Sequence, residues 1–284
     1  MRILIIGASG LLGSDLVKEC ATEEIIAAAS RDVDIRDFRR VRDLLARSKP
    51  KWIVLAAAYT DVDGSERNPD LAFAVNRDGT KNVAIAAREH GAKLFYVSTD
   101  YVFDGNSARP YEPDDPIHPL NVYGASKAAG EAAVLEQGGH WVIARSSWLF
   151  GASRACFPEK ILAAADSQPE LRVVNDQVGS PTYTRDLAAA IHKLIEANAR
   201  GILSITNSGS CSWFEFAREI LQRAGRKTPV RPITSAEAAR PAKRPAYSAL
   251  SPAALADYGI HLRNWRDALE AYLAELGEKG KALT

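Results

Sequence analysis

The sequence predicts an α/β chain, a doubly wound parallel sheet with a smaller C-terminal substrate-binding lobe. Three observations carry this. Short aliphatic runs alternate with helical stretches from residue 2 to about residue 150, and the runs are apolar on both faces, as strands of a buried parallel sheet must be. The first run, Arg2 to Ile6, leads directly into Gly7-Ala-Ser-Gly10-Leu-Leu-Gly13 and then into a helix. Finally, Tyr123 and Lys127 open a later helix four residues apart, which places them on one face, one turn apart. Together these define a Rossmann-type domain over residues 1–150. Residues 151–284 form mainly the second lobe, and a return segment at about 183–205 rejoins the main sheet.

The glycine loop has the spacing G-x-x-G-x-x-G between a strand and a helix. Gly7 permits the tight turn, Gly10 lets backbone N–H groups approach a pyrophosphate, and Gly13 lets helix and strand pack closely. The helix N-terminus adds favourable partial charge for phosphate. Strand two, Ile25–Ala29, ends in Ala29-Ser30-Arg31 where an NAD site would carry an acid for the ribose 2′-hydroxyl. Ser30 and Arg31 suit a 2′-phosphate. NADPH is therefore the expected cofactor, with NADH kept open by Asp32 and Asp34; Asp34-Ile35 is placed under the adenine.

A helix over 37–48 precedes strand three, Trp52–Ala56, and Ala57, Ala58, Tyr59 and Thr60 follow at its carboxyl end, where ligands bind in such sheets. A helix over Pro69–His90 is closed by Gly91, with Asn76 as a polar face residue. Strand four, Leu94–Val97, releases Ser98-Thr99-Asp100-Tyr101-Val102-Phe103. Strand five, Trp141–Ala144, releases Arg145-Ser146-Ser147-Trp148. The Tyr123/Lys127 pair has a chemical reading: a free phenol titrates near pKa 10, and an ammonium beside it lowers that value toward useful proton exchange. Later elements are a helix at 159–165, a strand at 171–173, a loop at 175–182, a helix at 184–197, a strand at 202–205, a helix capped by Ser212, and a last helix, Asn264–Leu276, with a frayed tail from Gly277.

Composition narrows the function. Net charge is +1, so no basic surface points to nucleic acid. The longest apolar run, Trp52–Tyr59, is strand length, so neither an export segment nor a membrane span is expected. Cys20, Cys156 and Cys211 read as buried, reduced thiols of a cytoplasmic protein. The five histidines lack ligand spacing, and no metal is expected.

The order of these motifs resembles an extended short-chain dehydrogenase/reductase. STDYVF at 98–103, NVYG-x-x-K-x-x-GE at 121–131, R-x-SW at 145–148, NDQ-x-G-x-PT at 175–182 and RPA-x-S-x-L at 244–250 resemble the dTDP-4-dehydrorhamnose reductase family over nearly the whole chain. The resemblance implies a catalytic triad of Thr99, Tyr123 and Lys127. It puts Gly7, Gly10, Leu11, Leu12, Gly13, Asp34, Ile35, Ala58, Tyr59, Thr60 and Val97 at the cofactor, joined by Tyr123 and Lys127. Thr99, Asp100 and Trp148 fall near the sugar nucleotide. Trp148 reads equally well as core packing. The YGAS before Lys127, where YGKT is common, is read as helix packing.

The implied reaction is hydride transfer from NADPH to C4 of dTDP-4-dehydro-β-L-rhamnose, in dTDP-rhamnose biosynthesis for cell-surface polysaccharide. Tyr123 protonates the oxygen, Lys127 lowers the Tyr123 pKa, and Thr99 orients the same oxygen. A homodimer is left open. Rival readings are another nucleotide-sugar ketoreductase, a dehydratase or epimerase, and a regulatory protein, since the regulatory β-subunit of methionine adenosyltransferase resembles this family. Dehydratases place an Asp-Glu pair after the threonine; here it reads Asp100-Tyr101.

Overall fold

Alternating Ile3/Ile5 and Leu4/Ile6 set the layers, because successive strand residues point to opposite faces. Ile3 and Ile5 join one core and Leu4 and Ile6 the other, all at most 1% exposed. The computed structural model describes residues 1–282, with side chains through residue 277. The N-terminal half runs β1 (Arg2–Ile6), α1 (Leu11–Glu19), β2 (Glu24–Ala28), α2 (Phe38–Ser48), β3 (Trp52–Leu55), α3 (Val62–Arg67), α4 (Pro69–Phe73), a π-helical turn (Ala74–Gly79), α5 (Thr80–Glu89), β4 (Lys93–Thr99), α6 (Val122–Gln137) and β5 (Trp141–Ser146). There follow β6 (Leu149–Phe150), α7 (Phe157–Ser167), β7 (Leu171–Val174), β8 (Val178–Gly179), β9 (Thr182–Tyr183), α8 (Thr184–Glu196), β10 (Gly201–Ser204), β11 (Cys211–Ser212), α9 (Trp213–Arg223), β12 (Val230–Ile233), α10 (Ser235–Ala238) and α11 (Trp265–Ala282).

The main sheet has the order β2-β1-β3-β4-β5-β10, parallel throughout. Leu12 and Leu16 of α1 and Leu187, Ile191 and Leu194 of α8 cover one face, with Leu255 and Ile260. Val41 and Leu45 of α2, Val83 and Ala87 of α5 and Val134 of α6 cover the other. Each such Val, Leu or Ile side chain contributes roughly 1.5–3 kcal/mol by leaving water. The chain crosses over between β1 and β3, so a crevice opens there at the carboxyl ends of the strands.

A separate aromatic core lies beyond β5. Phe150, Tyr183, Phe216, Trp265 and Tyr272 are fully buried against one another and belong to β6, β9, α9 and α11. Three two-stranded pairs, β11-β8, β12-β7 and β6-β9, stitch this part together. Arg145 and Glu131 form an ion pair of 2.7 Å, each side chain 3% exposed, locking α6 to β5.

Several boundaries differ from the expectation. β2 begins and ends one residue earlier. The helix expected over Pro69–His90 is interrupted by the π-turn, which gives Asn76 a buried place instead of an outer face. The loop expected at 175–182 contributes β8 and β9. α11 continues to Ala282 where fraying was expected from Gly277, because Glu, Lys and Ala favour helix and no proline intervenes; residues 283 and 284 of that tail lie outside the described residues. All three cysteines are buried and free. No helix among the described residues is long and apolar enough to cross a membrane.

Candidate active site

β1 ends at Ile6, and Gly7 turns the chain with φ +94°, a conformation that favours glycine. A Cβ on Gly7 would stand 2.6 Å from the Ala57 nitrogen, and one on Gly13 would stand 2.1 Å from the Gly7 oxygen. Gly7 thus admits β3 alongside, and Gly13 lets α1 lie against the loop. Gly10 caps α1 without a side chain, leaving first-turn N–H groups open for an anion. Gly7, Gly10, Leu11 and Leu12 line a cavity of about 910 Å³. Gly13 does not line it; its part is packing.

The next wall follows β2. Ser30, Asp34 and Ile35 line the cavity, and so does Arg36, which sequence reasoning passed over. Arg36 grips the Asp34 carboxylate at 2.7 Å and holds its pKa below the usual carboxylate value. Arg31 is outside the lining, 88% exposed, with Nε 3.8 Å from Asp32.

Ala58 and Thr60 line the cavity after β3, whereas Tyr59 does not. Tyr59 is instead a clamped backbone. Its N–H donates to Asn76 Oδ1 at 2.8 Å, and its carbonyl accepts from Asn76 Nδ2 at 3.0 Å. The same Nδ2 also donates to Ser126 Oγ at 2.9 Å, tying the segment to α6. Ser126 is fully buried, as the helix-packing reading of YGAS requires. The π-turn is the signal for Asn76, and it is not legible as residue periodicity.

Thr99 ends β4, and Tyr123 and Lys127 rise from the start of α6, capped by Asn121 Oδ1 on the Gly124 N–H at 2.7 Å. Gly124 and Gly130 bring this helix close: Cβ atoms there would meet the Tyr101 and Asn76 carbonyl oxygens at 2.1 and 2.4 Å. Val97, Thr99, Asp100, Tyr101, Tyr123 and Lys127 all line the cavity. Tyr123 is half-buried and faces it edge-on to Tyr101, with ring centroids 5.9 Å apart. Lys127 is 2% exposed; its Nζ donates to the Val97 carbonyl at 2.7 Å and lies 4.1 Å from the Tyr96 ring centre.

Electrostatics here correct the expectation that Lys127 lowers the Tyr123 pKa. Burial pushes Tyr123 up to about 12, with the Thr99 hydroxyl pulling it back and Asp100 pushing it further. Burial pushes Lys127 down to about 7, partly offset by Glu131. The ammonium is engaged by Val97 and Tyr96, and desolvation outweighs any help it gives the phenol. Tyr123 is therefore a neutral phenol carrying its proton at physiological pH.

The far wall comes from after β5. Trp148, at φ +48°, stacks on Trp213 of α9 with centroids 3.5 Å apart. Both line the cavity, with Ser146, Ser147 and Arg154. Trp148 also packs on Gly179, where a Cβ would meet its ring at 2.4 Å. Trp148 thus packs in the lobe and also lines the cavity. Trp213 and Arg154 lacked any sequence signal because they come from the lobe with weak periodicity. Away from the cavity, Glu23, His192 and Glu196 bring ligand-type atoms within 4.8 Å of one another. This trio was not foreseen from sequence, and the Met1 amino group already holds Glu23.

An open glycine loop at the crossover of a parallel sheet, with Thr, Tyr and Lys converging at the strand ends, defines the extended short-chain dehydrogenase/reductase class. The RmlD substrate binding domain family matches residues 1–278. The chain is 41% identical over 283 residues to dTDP-4-dehydrorhamnose reductase of Mycobacterium tuberculosis, covering 96% of this chain and 92% of that one. It is also 41% identical over 276 residues to the spore coat polysaccharide biosynthesis protein SpsK of Bacillus subtilis, covering 96% and 97%. A crystal structure of dTDP-4-dehydrorhamnose reductase from Bacillus anthracis, in complex with NADP, superimposes with a TM-score of 0.94 at 39% identity, covering 96% and 99%. The chain belongs to the RmlD family, that of the dTDP-4-dehydrorhamnose reductases.

Proposed function

We propose that this chain reduces the C4 keto group of dTDP-4-dehydro-β-L-rhamnose with NADPH, giving dTDP-β-L-rhamnose. The observation that carries the reading is the convergence of Thr99, Tyr123 and Lys127 on one cavity whose other end is the open glycine loop. The loop fits a dinucleotide: Gly7 and Gly10 leave the space, and the bare first turn of α1 leaves the donors. When bound, NADPH supplies the hydride. Tyr123 holds the proton that the C4 oxygen needs as charge develops on it. Its raised pKa keeps the phenol protonated until that moment. Thr99 presents a hydroxyl to the same oxygen, and a donor aimed there stabilises developing charge. Lys127, fixed by the Val97 carbonyl, holds the cofactor ribose. Ser30 and Arg31 receive the 2′-phosphate, with Arg31 free to swing in from its exposed position.

Reduction is favoured over dehydration because Asp100 is followed by Tyr101, which lines the cavity where a second acid would be needed. Residues 1–150 with the return segment supply the cofactor side, and the lobe with Trp213 supplies the sugar-nucleotide side. Three buried free thiols suit a reducing cytoplasm. The test is NADPH oxidation by purified protein with dTDP-4-dehydrorhamnose generated in situ, run in parallel with NADH. Substrate-dependent oxidation is expected, faster with NADPH. Oxidation without substrate dependence, or none at all, would overturn the reading.

A further inference from the structure

The RPA-x-S-x-L segment, from the far end of the chain, packs behind the site against Asp100. Tyr247 N–H donates to the Gly105 carbonyl at 3.2 Å, Ser248 N–H to the Val178 carbonyl at 2.8 Å, and Tyr111 N–H to the Ala249 carbonyl at 2.8 Å. Threaded between β8 and the loop after β4, it brings Ser248, 1% exposed, beneath the end of β4. Ser248 Oγ donates to Asp100 Oδ2 at 2.5 Å. Thr99 Oγ1 donates to the other oxygen, Asp100 Oδ1, at 3.1 Å and accepts from the Tyr101 N–H at 3.2 Å.

A threonine hydroxyl has one proton. Asp100 Oδ1 and the phenol of Tyr123 both lie within its reach; while the proton is given to Asp100, Thr99 can donate to a substrate oxygen only by turning away from a buried carboxylate. A carboxylate left short of donors would keep the proton. We propose that Ser248 is a positioning residue: by supplying Asp100 with a short hydrogen bond of its own, it frees the Thr99 hydroxyl to turn to the C4 oxygen. The contrast in length supports this, since 2.5 Å is the length of a charge-assisted O–H···O⁻ bond and 3.1 Å is a weak one. Burial pushes Asp100 up to about 7, and the donors from Ser248 and Thr99 hold it from going higher. The groups that face Asp100 are Tyr101, from its own turn, and Tyr123 of α6; Arg244 neighbours Tyr101. The inference rests on the reductase reading above.

Two measurements test it. Infrared titration of ligand-free protein, with Asp100→Asn identifying the carboxyl band, should show the Asp100 midpoint rising by about one pH unit in Ser248→Ala. The same variant should lose about ten- to a hundredfold in kcat, with the NADPH Kd unchanged. An unmoved midpoint, or an unchanged kcat, overturns the proposal. Should Ser248→Ala fail to fold, Ser248→Thr, which keeps the hydroxyl, must retain the wild-type midpoint, and a shifted midpoint there overturns it equally. Absence of wild-type turnover would sink the reductase reading, whereas the infrared midpoint still decides the Ser248–Asp100 bond.

Discussion

Removing one hydroxyl from Tyr123 deletes the proton donor and leaves the ring and its edge contact with Tyr101. Tyr123→Phe should bind NADPH with little change and lose about 10²–10⁴-fold in kcat; stopped-flow hydride transfer would check it, and retained turnover would end the acid role. Lys127 makes a second prediction. Its folded pKa lies near 7 and its ordinary value is 10.5. Between these the unfolded chain binds the proton that the folded chain has released, so this group makes stability rise with pH across that window. Below about pH 7 both states are charged, and the full cost of burying the ammonium is felt. Lys127→Met should therefore gain most stability over wild type near pH 6 and progressively less toward pH 10, read by urea unfolding of ligand-free protein. The pair itself was legible as a tyrosine and a lysine at helical spacing. The direction of the phenol's shift was not, because spacing cannot show that burial of the ring costs the phenolate its hydration.

At the scale of elements, β1, β3 and β4 could be read from composition because each is apolar on both faces and buried on both. The short pairs β8-β11 and β6-β9 could not. Two-residue strands have no period, and their pairing is fixed by segments far away in the chain. Asn76 was misread for a related reason: a π-turn rotates the face that an α-helical wheel assigns to solvent. Its side chain satisfies both backbone groups of Tyr59 and touches Ser126. Asn76→Ala would strand these groups, at about 1–3 kcal/mol each for those left without water. A fall in the unfolding midpoint with weaker cofactor binding is expected; a variant as stable as wild type would mean that the clamp is replaceable. The Glu131–Arg145 pair joins α6 to β5 in the same way. Arg145→Met leaves a buried carboxylate still accepting from Ser98 Oγ at 2.5 Å, and should cost about 3–5 kcal/mol. Changing both partners to apolar residues should recover much of that loss, which a double-mutant cycle would measure.

The main sheet, with a core on each face, forms one part of the molecule and the aromatic core of the lobe a second, and the cavity draws its walls from both. The glycine loop and the β2 turn come from the first, Trp148 and Trp213 from the edge of the second. A ligand that fills this cavity therefore bonds to both parts at once. Binding to the folded chain alone adds RT ln(1 + [L]/Kd), or about 2.7 kcal/mol at a hundredfold excess over Kd. For a chain of this size that corresponds to a rise in Tm of roughly 4–5 °C. NADPH should give this shift, and NADH at equal concentration a smaller one. Gly7→Ala, which forces a Cβ to within 2.6 Å of the Ala57 nitrogen, should remove the shift as well as lower the starting Tm. Tyr123→Phe should keep the shift in full. Differential scanning calorimetry with and without each nucleotide gives all of these values. A shift retained in Tyr123→Phe alongside lost turnover separates binding from chemistry. An equal shift from both nucleotides would move the 2′-phosphate away from Ser30 and Arg31.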